Sequence, residues 1–266
     1  MGLENLNPIL SALIGTGISF AGTAFGAAFV FFVSKKPSFK LQKVFLGFAS
    51  GVMIAASVWS LLLPAEEYAS GGALPEWIPM TFGFLAGAGF LFALDKLLPH
   101  HHAQSDMPEG PKSNLKKSTK LIFAVTLHNF PEGMAVGLAF ALAGTPGSGV
   151  SAAAAFALAI GIAVQNLPEG AVIALPLKGE GFSKRKAFLY GALSGVAEPV
   201  SGVLGALIAA VTLSVIPWAL SFAAGAMIYV VIDELVPGAA SKHTDAGTLG
   251  AIAGFAVMMM LDIALG

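Results

Sequence analysis

The chain has 266 residues, of which 56% are hydrophobic and only 11% are charged. An ordinary soluble domain carries about 25% charged residues, so a soluble fold is excluded for want of a charged surface. The 14 Lys and Arg against 15 Asp and Glu leave no basic excess to bind phosphates, which argues against a nucleic-acid partner. The absence of cysteine excludes disulfides, thiolate metal ligands and cysteine nucleophiles. The composition therefore predicts an integral membrane protein that crosses the bilayer several times.

Eight apolar segments are long enough to cross a bilayer, since a helical span needs about 20 mostly apolar residues. They lie at roughly 6–33, 45–64, 78–99, 120–143, 151–177, 187–212, 217–236 and 247–265. One connection is long, at about residues 100–119, and the others are short. We therefore expect an all-α integral membrane protein with eight transmembrane helices, forming a single transmembrane domain over residues 1–266.

The basic residues indicate the orientation of these spans in the membrane. Every one of them falls on the same side of the eight-span arrangement: Lys35, Lys36, Lys40, Lys43, Lys96, Lys112, Lys116, Lys117, Lys120, Lys178, Lys184, Arg185, Lys186 and Lys242. Because short cytoplasmic loops carry the Lys and Arg of membrane proteins, this side is predicted to be cytoplasmic. Both termini are then expected outside the cytoplasm. The long loop, which begins with His100, His101 and His102, is expected inside it.

Two pairs of spans resemble each other. Spans 3 and 8 match at one constant offset, with Gly83, Ala86, Gly87, Leu94 and Asp95 against Gly250, Ala253, Gly254, Leu261 and Asp262. Spans 2 and 7 match likewise, with Ala49, Gly51, Met53 and Ile54 against Ala223, Gly225, Met227 and Ile228. Because spans 3 and 8 cross the membrane in opposite directions, the matches predict an inverted repeat of spans 1–3 and 6–8. Such repeats are typical of secondary transporters, whose substrate site lies near the midplane.

Spans 4 and 5 carry two similar motifs, His128-Asn129-Phe130-Pro131-Glu132-Gly133 and Gln165-Asn166-Leu167-Pro168-Glu169-Gly170. Spacing by four residues puts His128 and Glu132 on one face of span 4, and it puts Gln165 and Glu169 on one face of span 5. Each proline removes a backbone hydrogen bond and bends its helix, and each glycine lets a neighbouring helix approach closely. Span 6 repeats the pairing of carboxylate and proline at Glu198-Pro199. Three helices thus bring a carboxylate and a broken backbone to similar depth.

The three carboxylates of Glu132, Glu169 and Glu198 have no Lys or Arg at the same depth. A charge at the centre of a transmembrane helix costs roughly 2.5–3.5 kcal/mol, so these groups are either protonated or share a bound cation. Asn129 and Asn166 add amide oxygens on an adjoining face. Imidazole, carboxylate and amide together suit a divalent transition metal such as Zn²⁺ or Fe²⁺ better than Mg²⁺. For His128 alone a structural hydrogen bond is an equally open interpretation.

Further ionisable residues lie near the ends of the spans, and two interpretations of them stay open. Asp95, Asp233 and Glu234 lie at cytoplasmic ends, and Asp262 lies near the outer face. They are either solvated charges or weak ligands along the path of an ion. The same choice applies to the loop residues His100, His101 and His102, which are either solvated or in contact with metal on its way through the cytoplasmic side.

The paired motifs, together with Glu198-Pro199, resemble the ZIP (Zrt/Irt-like) family of divalent-metal transporters, specifically its GufA-like branch, over nearly the whole chain. The resemblance implies eight helices in a 3+2+3 arrangement, a metal site between helices 4 and 5, and a homodimer. It also implies an elevator-like shift that delivers metal into the cytoplasm. One implied site uses His128, Glu132, Gln165 and Glu169; the adjoining one uses Asn129, Asn166 and Glu198, with Glu132 and Glu169 able to bridge.

The resulting prediction is a transporter in the cell inner (plasma) membrane that carries Zn²⁺, with Fe²⁺, Mn²⁺ and Cd²⁺ as further candidates. The metal is cargo, and no catalytic cofactor or enzymatic activity is expected. The neutral amides of Gln165 and Asn166 leave open whether one or two metal ions bind. An intramembrane metal-dependent hydrolase is the alternative, since such enzymes also bury His and carboxylates. The chain lacks their His-Glu-x-x-His arrangement.

Overall fold

A computed structural model describes residues 6–32, 38–70, 72–97, 117–145, 148, 150–240 and 243–265. Within these ranges the chain forms eight long helices and no strand. They are α1 (Pro8–Phe32), α2 (Phe39–Ala69), α3 (Trp77–Leu97), α4 (Lys117–Ala143), α5 (Ala152–Gly179), α6 (Lys184–Ala209), α7 (Ile216–Ala239) and α8 (Ala246–Leu265). His100, His101, His102 and most of the long loop lie outside the described residues.

Seven of the eight helices are long and apolar enough to cross a membrane, counting only the residues that the structure describes. The exception is α4, which has 27 residues and is therefore about 40 Å long. Its segment 131–142 is buried throughout by other helices, so this half of the helix contacts protein and does not need an apolar surface. The predicted all-α membrane protein with eight helices is confirmed.

The helices pack in four parallel pairs that form two groups. In the first group α1 lies along α5 and α4 lies along α6; in the second, α2 lies along α8 and α3 lies along α7. Contacts within each group are more extensive than those between the groups, which join mainly through α2 with α5 and α4 with α7. Both sequence motifs and Glu198 belong to the first group. We call the first group the site group and the second the frame group.

Close glycine contacts in the frame group occur in corresponding pairs, and the members of each pair are separated by the same number of residues as the matched positions of the predicted inverted repeat. Gly83 of α3 lies so close to Trp218 of α7 that an added Cβ would be 2.8 Å from the Trp218 carbonyl oxygen, and Gly250 of α8 approaches the Val44 carbonyl of α2 in the same way. Two further pairs correspond likewise: Gly87 with Phe222 and Gly254 with Phe48, and Gly225 with Phe84 and Gly51 with Ala251. The packing of α2 on α8 therefore repeats that of α7 on α3, which supports an inverted repeat over these four helices.

Two helices of the frame group contain a π-helical turn, at Ser57–Leu62 in α2 and Val231–Leu235 in α7. The two turns begin at positions related by the same offset as Gly51 and Gly225. Such turns are frequent at functional sites because the extra residue redirects the side chains around it. The turn of α7 carries Asp233 and Glu234, and that of α2 carries Ser60.

The span predicted to begin at 45 begins instead at Phe39, so Lys43 lies inside α2 and is buried. Its Nζ donates to the carbonyls of Gly238 at 2.5 Å and Ala240 at 3.0 Å. The last carbonyls of a helix have no partner within the helix, and a cation there also interacts favourably with the helix dipole. Lys43 therefore caps the end of α7.

Candidate metal centre

The motifs of α4 and α5 meet in the interior of the site group. Glu132, Gln165 and Asn166 are all fully buried. The Glu132 carboxyl group lies beside the Gln165 and Asn166 side chains and within electrostatic range of Glu198. Glu169, one turn further along α5, lies within electrostatic range of Glu132. Three carboxylates and two amides thus occupy one region between α4, α5 and α6.

The motif glycines bring the backbones of these helices together. An added Cβ at Gly133 would overlap the backbone of Glu198 on α6, and one at Gly170 would overlap the Thr23 carbonyl of α1. Because a backbone cannot move aside as a flexible side chain does, no larger residue fits at either position without separating the helices. The predicted role of these glycines in close approach is confirmed.

The predicted backbone break occurs in only one of the three helices. Helical structure continues through Pro131 and Pro168, because a proline costs its helix one hydrogen bond and the turns on either side hold. In α6 the helix is interrupted between Ser194 and Ala197. Glu198 lies in the first turn of the second half, where its carboxylate interacts favourably with the helix N-terminus.

The Glu198 carboxylate has one engaged and one free oxygen. Its Oε1 accepts hydrogen bonds from Asn166 Nδ2 at 3.0 Å and from Thr23 Oγ1 at 3.1 Å. Its Oε2 is buried and accepts none from the described residues. The Asn166 amide also donates to the Ser19 carbonyl at 3.4 Å. Glu198 is therefore held from one side and left open on the other.

The amide groups of the centre use their NH₂ ends within the protein, and the oxygens of Asn129 and Gln165 stay without a donor among the described residues. Asn129 Nδ2 donates to the Ser194 carbonyl at 3.2 Å, and Gln165 Nε2 donates to Asn166 Oδ1 at 3.0 Å. Several buried oxygens accept no hydrogen bond within the described part of the chain: Asn129 Oδ1, Glu132 Oε1 and Oε2, Gln165 Oε1, Glu169 Oε2 and Glu198 Oε2. An unsatisfied buried polar group costs about 1–3 kcal/mol, so this concentration of free oxygens is a site that a cation would stabilise.

His128 is oriented differently from the other motif residues. Its Nε2 lies 3.0 Å from Glu234 Oε2 in the π-helical turn of α7, and Glu234 is also within electrostatic range of Glu169. No group of three His, Asp or Glu side chains among the described residues stands close enough to hold a metal ion unaided. A cation at this centre therefore needs the amide oxygens as well, or requires His128 to turn from Glu234 toward Glu132.

The remaining predicted residues do not join this centre. Asp95 is buried between α3 and α7 and accepts from Tyr229 at 2.7 Å, while Asp262 is buried between α8 and α2 and accepts from Ser60 at 2.6 Å. Each of these carboxylates therefore links the two helices of one pair of the frame group, and neither is the solvated helix-end charge that one interpretation expected. Asp233 is exposed.

His100, His101 and His102 fall outside the residues that the structure describes. The expectation that they contact metal on the cytoplasmic side therefore stays a prediction.

Sequence reasoning missed the contribution of α1. Thr16, Ser19 and Thr23 are fully buried on one face of that helix, and two of them contact Glu198 or Asn166. A signal was present, because three hydroxyl residues recur at spacings of three and four in a helix that is otherwise apolar and rich in glycine. In an apolar span they are easily taken for small packing residues.

Comparison with known proteins identifies the family. The family model described as ZIP zinc transporter matches residues 114–262. The chain belongs to the ZIP family. It is 36% identical to zinc transporter ZIP11 of Homo sapiens over 99% of this chain and the whole of that protein. It is 35% identical to zinc transporter GufA of Myxococcus xanthus over 92% of this chain and 96% of that protein, and 34% identical to zinc transporter ZIPB of Bordetella bronchiseptica over 99% and 84%.

The family relationship confirms the resemblance drawn from the paired motifs. All three of these relatives are named as zinc transporters, which favours a ZIP transporter over the alternative of an intramembrane hydrolase. The match covers both motifs, Glu198 and the acidic pair of α7.

Proposed function

We propose that this ZIP protein carries divalent transition-metal ions across the membrane into the cytoplasm, with Zn²⁺ as its principal cargo and Fe²⁺, Mn²⁺ and Cd²⁺ as further cargoes. The observation that carries the proposal is the group of buried oxygens without hydrogen-bond donors on five side chains of α4, α5 and α6. The names of the relatives as zinc transporters support the same cargo.

The proposed site has two adjoining metal positions. One uses His128, Glu132, Gln165 and Glu169, and it forms when His128 turns from Glu234 toward the metal. The other uses Asn129, Asn166 and Glu198, with Glu132 and Glu169 able to bridge. The free oxygens of Glu132, Asn129 and Glu198 support both assignments. Because the ligands must lose their protons to bind a cation, protons compete with the metal at both positions.

The proposed mechanism is an elevator-like movement of the site group against the frame group. All seven ligands belong to α4, α5 and α6, and the contacts that join the two groups are less extensive than those inside each group. A rigid displacement of the site group would therefore carry the ligands together. The contact of His128 with Glu234 crosses the boundary between the groups, and we propose it as the step by which metal passes from the centre toward Asp233 and the cytoplasm.

The proposed setting is the inner (plasma) membrane, with both termini outside the cytoplasm and the long loop inside. We further propose a homodimer, as the family resemblance implies. Asp95 and Asp262 remain proposed pathway residues because each presents a buried carboxylate near one end of the frame group. His100, His101 and His102 remain proposed contacts for metal that reaches the cytoplasmic loop.

Uptake of Zn²⁺ by vesicles that contain the purified protein tests the proposal. Glu169→Ala and Glu132→Gln should each abolish uptake while the protein stays folded, because each removes a ligand that the chain does not replace. Glu180→Gln is the matched control, since Glu180 is exposed beyond the end of α5 and should transport as the unmodified protein does. Uptake by the Glu169 and Glu132 variants at the level of the control would refute the assignment.

A further inference from the structure

Three buried hydroxyl residues of α1 have different hydrogen-bond partners. Thr16 Oγ1 donates to the Ala12 carbonyl at 2.7 Å, and Ser19 Oγ donates to the Thr16 carbonyl at 3.1 Å. Both bonds stay within α1, as is usual for hydroxyl side chains in apolar helices. Thr23 Oγ1 instead donates to Glu198 Oε1 at 3.1 Å, across the boundary between α1 and α6. The Ser19 side chain also lies beside the Glu198 carboxylate, but its bond goes to α1, whereas Thr23 donates to the carboxylate itself.

Thr23 is held in this position by close backbone packing. Its carbonyl lies against Gly170 of α5 so tightly that no Cβ would fit there. On its other side an added Cβ at Gly195, in the break of α6, would be 3.0 Å from the Thr23 Cβ. The first contact fixes the backbone of Thr23 and the second fixes its Cβ. Together they leave little freedom for the Thr23 hydroxyl group to move, which is the condition for orienting a ligand accurately.

The bond of Thr23 determines which Glu198 oxygen is available. Oε1 accepts two hydrogen bonds, from Thr23 and Asn166, whereas Oε2 accepts none from the described residues. Donors to one oxygen of a metal-binding carboxylate fix the rotation of the group and present its other oxygen. With the Thr23 donor removed, Oε1 would lose one of these two bonds and keep that of the Asn166 amide.

We propose that Thr23 is a positioning residue of the metal centre: it orients Glu198 to bind one metal ion through Oε2 alone, while Oε1 stays hydrogen-bonded to α1 and α5. This inference rests on the proposed function, since it assigns a role at the same centre. It makes α1 a functional part of the site group, although α1 contributes no ligand.

The experiment measures Cd²⁺ binding to purified protein by equilibrium dialysis, which gives the affinity and the number of ions bound, together with the thermal melting temperature. Thr23→Val keeps the shape of the side chain and removes the donor. Thr23→Ser keeps the donor and removes only a methyl group. Thr16→Val is the matched control, because it deletes a buried hydroxyl on the same helix whose bond goes to its own backbone.

Hydrogen bonds to charged groups contribute more than those between neutral groups, so Thr23→Val should weaken binding of the ion held by Glu198 about tenfold. Thr23→Ser should bind as the unmodified protein does, and Thr16→Val should keep both affinity and stoichiometry even if its melting temperature falls. In a Glu198→Gln background, Thr23→Val should cause no additional loss. If Thr23→Val does not fold, Thr23→Ala replaces it with the same expected loss.

Each result has a distinct meaning. Equal affinities for Thr23→Val and Thr23→Ser would overturn the inference, and so would an equal loss in Thr16→Val. A loss in Thr23→Val that is undiminished in the Glu198→Gln background would also overturn it, because Thr23 would then act elsewhere. Failure of the proposed function looks different: the unmodified protein would bind no Cd²⁺, or Glu132→Gln would bind as much as the unmodified protein.

Discussion

The contact between Gly133 and Glu198 makes Gly133→Ala the most informative single perturbation of this centre. A methyl group at position 133 would lie closer than 3.0 Å to the carbonyl oxygen and Cα of Glu198 and to Ser201 Oγ. Two of these three atoms are backbone, so α6 must move away from α4 as a whole. Restoring ordinary van der Waals contact requires a separation of about 1 Å, and overpacking of this kind costs about 1–3 kcal/mol of stability.

The same displacement disturbs the metal centre more than it disturbs the fold. Ligands must stay within about 0.5 Å of their productive positions, and misplacement by about 1 Å can cost a factor of about 100 in rate where geometry is decisive. Gly133→Ala moves Glu198 away from Glu132 by that distance. We expect the variant to fold with a lowered melting temperature, and to lose at least tenfold in both Cd²⁺ affinity and Zn²⁺ uptake.

Two neighbouring glycines of α3 provide the controls. Gly87→Ala creates the same kind of overlap, against the Phe222 carbonyl in the frame group, whereas Gly89 has no atom within 4 Å of an added Cβ. Gly87→Ala should lower the melting temperature comparably yet keep the Cd²⁺ affinity, and Gly89→Ala should change neither. The reasoning is refuted if Gly133→Ala keeps the Cd²⁺ affinity of the unmodified protein, or loses no more than Gly87→Ala.

Three further predictions concern the chemistry of the centre and its loop. Zn²⁺ binding should weaken as the pH falls from about 7.5 to about 5.5, because protons compete for the ligands and an unperturbed His titrates near 6.5; equilibrium binding that is flat over this range would contradict a role for His128. Asn166→Asp removes one donor to Glu198 but adds a charged ligand in place of a neutral amide. Because the added charge attracts the cation, the variant should bind Cd²⁺ more tightly, hold a second ion more clearly and transport no faster, since an ion that is bound too well leaves slowly. Calorimetry that gives the same number of ions at equal or lower affinity would remove Asn166 from the metal. Replacing His100, His101 and His102 together with Ser should leave uptake largely intact; a folded variant without uptake would mean that the essential site extends into the cytoplasmic loop.

The helix faces that carry the candidate ligands could be predicted from the sequence because their signals are local. Four-residue spacing fixes which side chains share a face, and a carboxylate without a basic partner is conspicuous in an apolar span. The glycines beside Glu132 and Glu169 indicated close helix contacts for the same reason. Which backbone each glycine would meet was not predictable, since that depends on how α6 and α1 are arranged around the motifs.

The contacts that the sequence did not reveal all join distant parts of the chain. Thr23 lies 175 residues from Glu198, and nothing in the composition of α1 distinguishes its hydroxyl from that of Thr16. The contact of His128 with Glu234 joins α4 to the π-helical turn of α7, whose extra residue redirects the side chains around it. Lys43 shows the opposite case. The sequence placed it among the charges of the predicted cytoplasmic side, yet it is buried because its Nζ donates to the last carbonyls of α7.

The repeated packing of the frame group has a consequence for direction. The packing of α2 on α8 and that of α7 on α3 are two copies of one contact, inverted relative to each other. Helix packing in the frame group therefore does not distinguish one face of the membrane from the other. The copies differ where the π-helical turns correspond: α2 has Trp59 and Ser60 where α7 has Asp233 and Glu234. The turn of α2 thus presents an aromatic ring and a hydroxyl, which donates to Asp262, and the turn of α7 presents two carboxylates. The two ends of the frame group therefore differ in their side chains where their helix packing is the same.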